Sequence, residues 1–318
     1  MSLCIGVLYG GRSAEREVSL NSGEAVYQAL VAAGYKNVVK IDVGYDLVEQ
    51  LKAQQVELAF PVLHGKYGED GTLQGLLEMM DIPYTGSGVL SSALAMNKIA
   101  TKKIFSIEGI PTPDFTVVTR RQVLDRGLET VAKEVLAKTG VPVVAKANTQ
   151  GSTIGISFVH KEEEMASAIE SALKYDADVL IEKYIEGMEV TASILGNENP
   201  VALPLIEITS VTGVYDYQAK YTPGMSHHII PPRLPEEVQE TIKSLAVRAF
   251  QSLGCRGLGR VDFMVGEKGI YALEINTLPG MTATSLFPDA ARYAGIEFPE
   301  LADRLVKLAL EFNKDQPG

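Results

Sequence analysis

A chain of 318 residues that is 46% hydrophobic and 22% charged has the composition of a soluble globular protein, and its length calls for two or three domains. The formal net charge of −11 argues against nonspecific nucleic-acid binding, which needs clustered Lys and Arg. No apolar run approaches the ~18–20 residues needed to span a bilayer, and the N-terminus lacks the basic segment of a signal peptide. Cys4 and Cys255 have neither disulfide-framework nor metal-motif spacing, so free thiols in a reducing cytoplasm are expected.

In chain order, residues 3–9 read as a buried strand, and the turn Gly10-Gly11-Arg12-Ser13 leads into a helix that runs to about Ala33 and closes at Gly34. Strands at 38–43 and 58–63, a helix at 72–80 and a short strand at 82–84 complete a small doubly wound sheet, whose ligands sit beyond the C-terminal strand ends. Residues 85–88 look like a domain junction. Asn97 is a good N-cap for a helix over 98–108, ended by Gly109. Strands at 115–118, 142–147, 156–159 and 179–182, with helices at 129–138 and 161–173, make an α+β unit. Residues 189–195 and 201–208 form a hairpin. Residues 210–233 are irregular over a length that marks a functional lid or disorder, and His227-His228 read as part of that loop. An amphipathic helix spans 235–253, and a last helix 300–312.

Between these two helices, residues 259–265 and 270–276 alternate polar with apolar or bulky residues, as half-buried strands do. A three-residue loop, 267–269, places Gly269 where a left-handed conformation is needed. That register opposes Asp262 to Glu274 and Arg260 to Asn276, and period-two alternation points all four side chains to one face. Two carboxylates and an amide oxygen within one cross-strand spacing suit a hard cation. The arginine beside them points to an anion on the metal, hence a Mg²⁺–phosphate site. The plainer alternative is a solvated strand face.

Other candidates each have a bland alternative. Residues 64–71 pack His64, three glycines and two acids onto a strand end, which also describes an elaborate βα turn. Glu15 lies at the first helix N-terminus, where the dipole favours an acid whether or not a ligand ammonium is there. Lys98 is misplaced by up to about 1 kcal/mol in a first helical turn unless an anion docks there. Lys146 precedes a Gly-Ser loop whose N–H groups and Ser152 hydroxyl suit phosphates, although the loop is not a P-loop. Residues 182–189 form a strand exit whose free backbone groups suit an adenine edge, with Glu189 placed for ribose hydroxyls. Lys220 and Tyr221 lie in the long loop, as lid or as solvated residues.

Taken together, the segments 64–75 and 260–280 and the residues between them resemble the D-alanine–D-alanine ligases of the ATP-grasp superfamily, along essentially the whole chain. The resemblance implies an α/β and α+β ATP-grasp fold of three domains with an N-terminal doubly wound parallel sheet. These are 1–86, binding substrate; 87–184, the central ATP-grasp subdomain; and 185–318, the C-terminal ATP-grasp subdomain with metal site and lid. It implies ligation of two D-alanines through an acyl phosphate for peptidoglycan synthesis, using ATP and Mg²⁺ or Mn²⁺, with two ions, in a cytoplasmic homodimer.

By the same resemblance, Lys98, Lys146, Glu182 and Glu189 match nucleotide-binding positions, with Lys183 and Ile185 at the adenine. Asp262, Glu274 and Asn276 match the metal ligands. Glu15 matches the anchor of the first substrate's ammonium, with His64 close by. Ser152, Lys220 and Tyr221 match residues that close the lid and orient substrate. Arg260 and the backbone at Gly280 match oxyanion stabilisers, and Ser285 and Leu286 match positions holding the second carboxylate. Asn97 stands where the family often has an acid. Tyr221 favours a dipeptide over the depsipeptide of a D-alanine–D-lactate ligase. Another ATP-grasp acid–amine ligase and a nucleotide-binding regulator without turnover are the alternatives, the last disfavoured by the presence of both the metal ligands and Arg260.

Overall fold

The computed structural model describes residues 3–13, 15–151, 154–210, 226–282 and 284–314. The expectations for Ser152, Lys220 and Tyr221, and most of the expected lid, lie outside these residues.

Strands β1 (Cys4–Tyr9), β2 (Asn37–Asp42) and β3 (Leu58–Pro61) form a parallel sheet in the order β2-β1-β3. Helices α1 (Arg16–Ala32), α2 (Leu47–Ala53) and α3 (Thr72–Met79) accompany it. The strand expected at 82–84 is reduced to one parallel bridge, Ala59 to Tyr84. Helix α2 went unanticipated because it shows only two buried positions, Leu47 and Leu51, too few to establish a period. The tight β1–α1 turn needs Gly10 at a φ of 76°: a Cβ there would lie 2.2 Å from Asp42 Oδ1. That carboxylate is held by Arg16, whose Nη1 donates to it at 2.7 Å.

Helices α4 (Val89–Met96) and α5 (Lys98–Ile107) follow. The first is a run of Ser, Ala and apolar residues without a polar face, and it also escaped the sequence pattern. The second sheet contains β4 (Phe115–Thr119), β5 (Val143–Ala147), β6 (Ile156–Val159) and β7 (Asp178–Lys183) in the antiparallel order β4-β7-β5-β6. Helix α6 (Arg120–Arg126) begins in a capping box between Thr119 and Gln122. Helices α7 (Leu128–Thr139) and α8 (Met165–Leu173) cover the sheet, with Val131, Val143, Ile169 and Ile181 in the core between them.

The third sheet takes β8 (Gly187–Gly196), β9 (Val201–Ala202), β10 (Ile206–Ser210), β11 (Ser226–Ile229), β12 (Gly257–Gly266) and β13 (Gly269–Asn276). Its order is β11-β10-β8-β12-β13, with β9 on β8. His227 and His228 therefore lie on a strand rather than in a loop; β11 pairs with β10, and His228 Nδ1 sits 2.7 Å from Asp289 Oδ2. Helix α9 (Glu236–Ser252) packs on this sheet, and Ala95, Phe105 and Ile110 join the same core. Burial of a side chain such as Phe105 contributes roughly 2–3 kcal/mol. Packing thus holds α5 on the third sheet while its N-terminus reaches toward the second.

Helices α10 (Leu286–Tyr293) and α11 (Phe298–Lys314) return to the first sheet. Ile5, Leu30, Leu258, Phe287 and Leu305 share one core, and Tyr35 Oη donates to Asp303 Oδ1 at 3.0 Å. The first strand and helix are therefore packed with the last helix.

Candidate active site

The β12–β13 hairpin places Arg260 opposite Asn276 and Asp262 opposite Glu274, the expected pairs, but by a different route. Gly266 pairs with Gly269, so the loop is two residues, Glu267 and Lys268, not three. The missing residue is recovered at a bulge between Asp262 and Phe263, where Leu273 is the extra residue on β13. Gly269 does take a positive φ, 147°. Two one-residue errors in the expected geometry cancel, and the ligand-type residues share a face.

On that face Arg260 grips Asp262 with two hydrogen bonds, Nε to Oδ1 and Nη2 to Oδ2, each 2.8 Å. Thr191 of β8 donates to Asp262 Oδ1 at 2.6 Å. Glu274 Oε2 lies 3.1 Å from Lys98 Nζ. Asn276 Oδ1 accepts the Leu278 amide at 3.0 Å. Among the described residues no group of three His, Cys, Asp or Glu side chains gathers as a metal cluster. The candidate metal set is two carboxylates and one amide oxygen, and each carboxylate already has a cation beside it.

The helix N-terminus beside Lys98 offers no free amide to an anion. The first amides of α5 are all engaged: Lys98 and Ile99 donate to Asn148, Ala100 and Thr101 to Asn97. The Lys98 ammonium instead leaves the helix, donating to Gln150 O at 2.9 Å and pairing with Glu274. It thus ties the loop after β5 to the hairpin of the third sheet.

Behind it lies a cluster in which Lys146 and Glu182, both expected at the nucleotide, are joined by Lys102. Glu182, on β7, is buried with Lys146 of β5 on Oε1 and Lys102 of α5 at 2.7 Å on Oε2. The Lys102 contact is an ion pair rather than an aligned hydrogen bond. Burial opposes every charge here. For Glu182 the two lysines outweigh it and hold the carboxyl below its usual range; for Lys146, Glu182 and Glu274 outweigh it and raise the ammonium. For Lys102, burial and repulsion by Lys146 prevail over Glu182 and lower it. Lys102 was overlooked, although its i+4 spacing from Lys98 puts both on one helix face beside the buried Thr101.

The strand exit differs from expectation in one respect. The amides of Lys183 and Tyr184 are not free; they donate to Asp114 O and Pro142 O at 2.8 and 3.1 Å. Lys183 is exposed, and Ile185 abuts the hairpin turn, 2.9 Å from where a Cβ on Gly266 would stand. Glu189 of β8 faces Met264 in register, and its charge reaches Lys146.

The third group comes from the first sheet. Glu15 occupies the N-cap position of α1 without capping it; its carboxylate lies between Gly65 and Gly151, 3.2 and 3.4 Å from their would-be Cβ atoms. In the 64–71 turn, Glu69 accepts the Gly65 amide at 2.7 Å, and Asp70 accepts Tyr67 and Thr72. Those acids serve the turn. His64 is different: it is buried, and its Nε2 has no hydrogen-bond partner among the described residues. Its Nδ1 lies 3.7 Å from Glu69 Oε1, a charge contact beyond hydrogen-bond reach. Burial disfavours the imidazolium, but Glu69 and Glu15 outweigh burial and Arg260 and raise its pKa. Protonated His64 therefore contributes stability that is fully present below its unfolded value, about 6.5, and lost as pH rises through the folded value. Glu69→Gln is expected to lower the His64 midpoint in an NMR titration; an unmoved midpoint would refute this cause.

At Gly280, four residues past the end of the hairpin, a Cβ would come 2.9 Å from Ser285 Oγ. Ser285 stands at the N-cap of α10, its hydroxyl 2.7 Å from Thr282 Oγ1. The Leu286 side chain is buried in the core, so a ligand could meet this residue only at its backbone amide, in the first turn of α10.

Parallel sheet, antiparallel four-stranded sheet and metal-type hairpin sheet, with lysines and carboxylates converging between the last two, define the ATP-grasp class. Family models for the D-ala D-ala ligase N-terminus and C-terminus match residues 43–87 and 104–307. The D-alanine–D-alanine ligase of Desulforamulus reducens is 74% identical over 98% of this chain and 100% of its own, and that of Pelotomaculum thermopropionicum is 65% identical over 98% of each. The solved D-alanine–D-alanine ligase of Bacillus anthracis complexed with ATP superposes with a TM-score of 0.84, at 37% identity and full coverage of both chains. A VanG D-Ala:D-Ser ligase from Enterococcus faecalis gives 0.83 at 32% identity, covering 97% of this chain and all of its own. The chain belongs to the D-alanine–D-alanine ligase family.

Proposed function

We propose that this enzyme joins two D-alanines to D-alanyl-D-alanine, a peptidoglycan precursor, with ATP converted to ADP and phosphate. A carboxylate is a poor electrophile, so an oxygen of the first D-alanine attacks the γ-phosphorus and ADP leaves. The amine of the second D-alanine, after losing a proton, attacks the acyl carbon, and phosphate departs with the collapse of the tetrahedral oxyanion. The observation that carries this reading is the convergence of Arg260, Asp262 and Glu274 on one hairpin face with Lys98 from α5.

In this reading Glu15 receives the first substrate's ammonium, with His64 beside it. Lys98 and Lys146 spread the phosphate charge, Glu182, Lys183 and Ile185 border the adenine, and Glu189 holds the ribose. Arg260 and the Gly280 amide stabilise the oxyanion, and Ser285 with the Leu286 amide holds the second carboxylate. Ser152, Lys220 and Tyr221 close over the acyl phosphate, which water would destroy.

Asp262, Glu274 and Asn276 fit Mg²⁺ or Mn²⁺, in two ions: all offer oxygen, and Arg260 and Lys98 already flank the carboxylates where phosphate oxygens would come. When bound, the metal supplies charge neutralisation of the polyphosphate. We further propose three units, 1–86, 87–184 and 185–318, with α4 and α5 as the bridge, because Ala95 and Phe105 pack with the third sheet. A homodimer follows from the family resemblance, and two free thiols suit the cytoplasm.

With D-alanine, D-lactate and D-serine offered together at neutral pH, D-alanyl-D-alanine is expected to dominate. Predominant ester or D-alanyl-D-serine would overturn the substrate assignment, and nucleotide binding without turnover would favour a regulator.

A further inference from the structure

Lys102 has no place in the roles above, yet it is fully buried. It projects from α5 one turn beyond Lys98. Its ammonium lies 2.7 Å from Glu182 Oε2 and donates to Thr112 Oγ1 at 2.6 Å. Thr112 Oγ1 in turn donates to the carbonyl of Ala272, on β13, at 2.7 Å. Within the cluster the Lys146 side chain is 12% exposed, against 1% for Lys102 and 3% for Glu182, so Lys146 is its outward pole.

The charge count makes Lys102 informative. Lys146 and Glu182 would balance each other without help, and burying a second ammonium carries a desolvation cost. With Lys102 present, two lysines face one carboxylate, so these three side chains sum to one positive charge, set against the more distant Glu274 and Glu189. Without it, Glu182 would neutralise Lys146, and the cleft would see no net charge from that pair.

We propose that Lys102 is a positioning residue for nucleotide binding: it takes one oxygen of Glu182, so that Lys146 keeps its charge for the polyphosphate, and through Thr112 it fixes that arrangement against the strand carrying Glu274. The inference rests on the nucleotide-binding reading of Lys146 and Glu182. It makes one chain of contacts, from β13 through the half-buried Thr112 and the buried Lys102 to β7 and β5, join the two sheets that would hold the nucleotide.

The test is calorimetric binding of ADP with Mg²⁺ and steady-state kinetics on the full chain, for wild type, Lys102→Met, Glu182→Gln and Lys102→Met/Glu182→Gln. Lys102→Met is expected to weaken ADP and raise the KM for ATP about tenfold while leaving the KM for D-alanine within about twofold. In the double variant Lys146 faces a neutral amide, and ADP affinity is expected to match that of Glu182→Gln alone, the reference that already lacks the Glu182 carboxylate at the adenine. A merely structural lysine would lower Tm in both variants that carry Lys102→Met and leave the ADP affinity of Lys102→Met alone at the wild-type value; that result overturns the proposal. If Lys102→Met does not fold, Thr112→Val serves: it keeps the ion pair and removes the link to Ala272. It is expected to raise the KM for ATP about threefold, and an unchanged KM overturns the proposal. Failure of the wild-type chain to bind ADP would overturn the nucleotide reading itself, and this inference with it.

Discussion

Glu274→Ala is expected to lose about 10³-fold in Mg²⁺-dependent turnover while the protein stays folded. The two halves of that expectation have different physical origins. Glu274 is one third exposed, and its pair with Lys98, at 3.1 Å, is the kind that contributes about 1 kcal/mol or less to stability. The Lys98 ammonium also keeps the Gln150 carbonyl. Catalysis stands to lose far more, because in the proposed role Glu274 would hold a metal where charge develops on the phosphates. Steady-state rates over a Mg²⁺ titration, paired with a melting curve, check both halves. Near-normal turnover would refute the metal assignment of the hairpin, and a collapse of Tm would show Glu274 to be structural.

Lys146→Ala is expected to weaken ATP and ADP about 100-fold and D-alanine no more than about twofold. A unit charge about 4 Å from a phosphate oxygen at an effective dielectric of about 20 interacts by roughly 4 kcal/mol. Desolvation takes back part of that, leaving near 2.7 kcal/mol, or two decades. The fold should survive, because Glu182 retains Lys102 at 2.7 Å and is not left as a lone buried charge. The loss should exceed that of Lys102→Met, since Lys146→Ala removes both the cluster's excess charge and the group that presents it. Calorimetry with each ligand separately decides the matter. Equal losses for nucleotide and D-alanine would count against a phosphate role.

The hairpin shows how a correct site can be reached through an incorrect local geometry. Alternation in 259–265 and 270–276 placed Asp262, Glu274, Arg260 and Asn276 on one face, because a strand's side-chain period is two whatever joins it to its partner. The loop length was wrong, and a bulge at Leu273 compensated. Nothing local announces that bulge: Leu273 is as good a strand residue as its neighbours, and β12 is already pinned on its other side by ten residue pairs with β8. Likewise Asn97 was legible as a cap because capping is a local hydrogen bond, here to the Ala100 amide. No amide at that helix end is left for an anion, which would there meet the Lys98 ammonium instead. The amides are taken by Asn97 and Asn148, the latter 51 residues downstream of Asn97 and brought there by the second sheet. Lys102, by contrast, was hidden by its chemistry: a lysine read alone is a surface residue, and its burial follows from where Glu182 is delivered.

By itself the sequence determined the periodic and the local: the principal strands and helices, the cap at Asn97, the shared face of the hairpin residues and the family resemblance. Only the tertiary structure decided which charges meet. It set Lys98 against Glu274, gave Glu182 two lysines and drew His64 toward Glu15 and Arg260. The physical reason is range. Period and capping act over a few residues, whereas these electrostatic contacts join residues of separate sheets and helices, whose approach depends on the packing of whole elements.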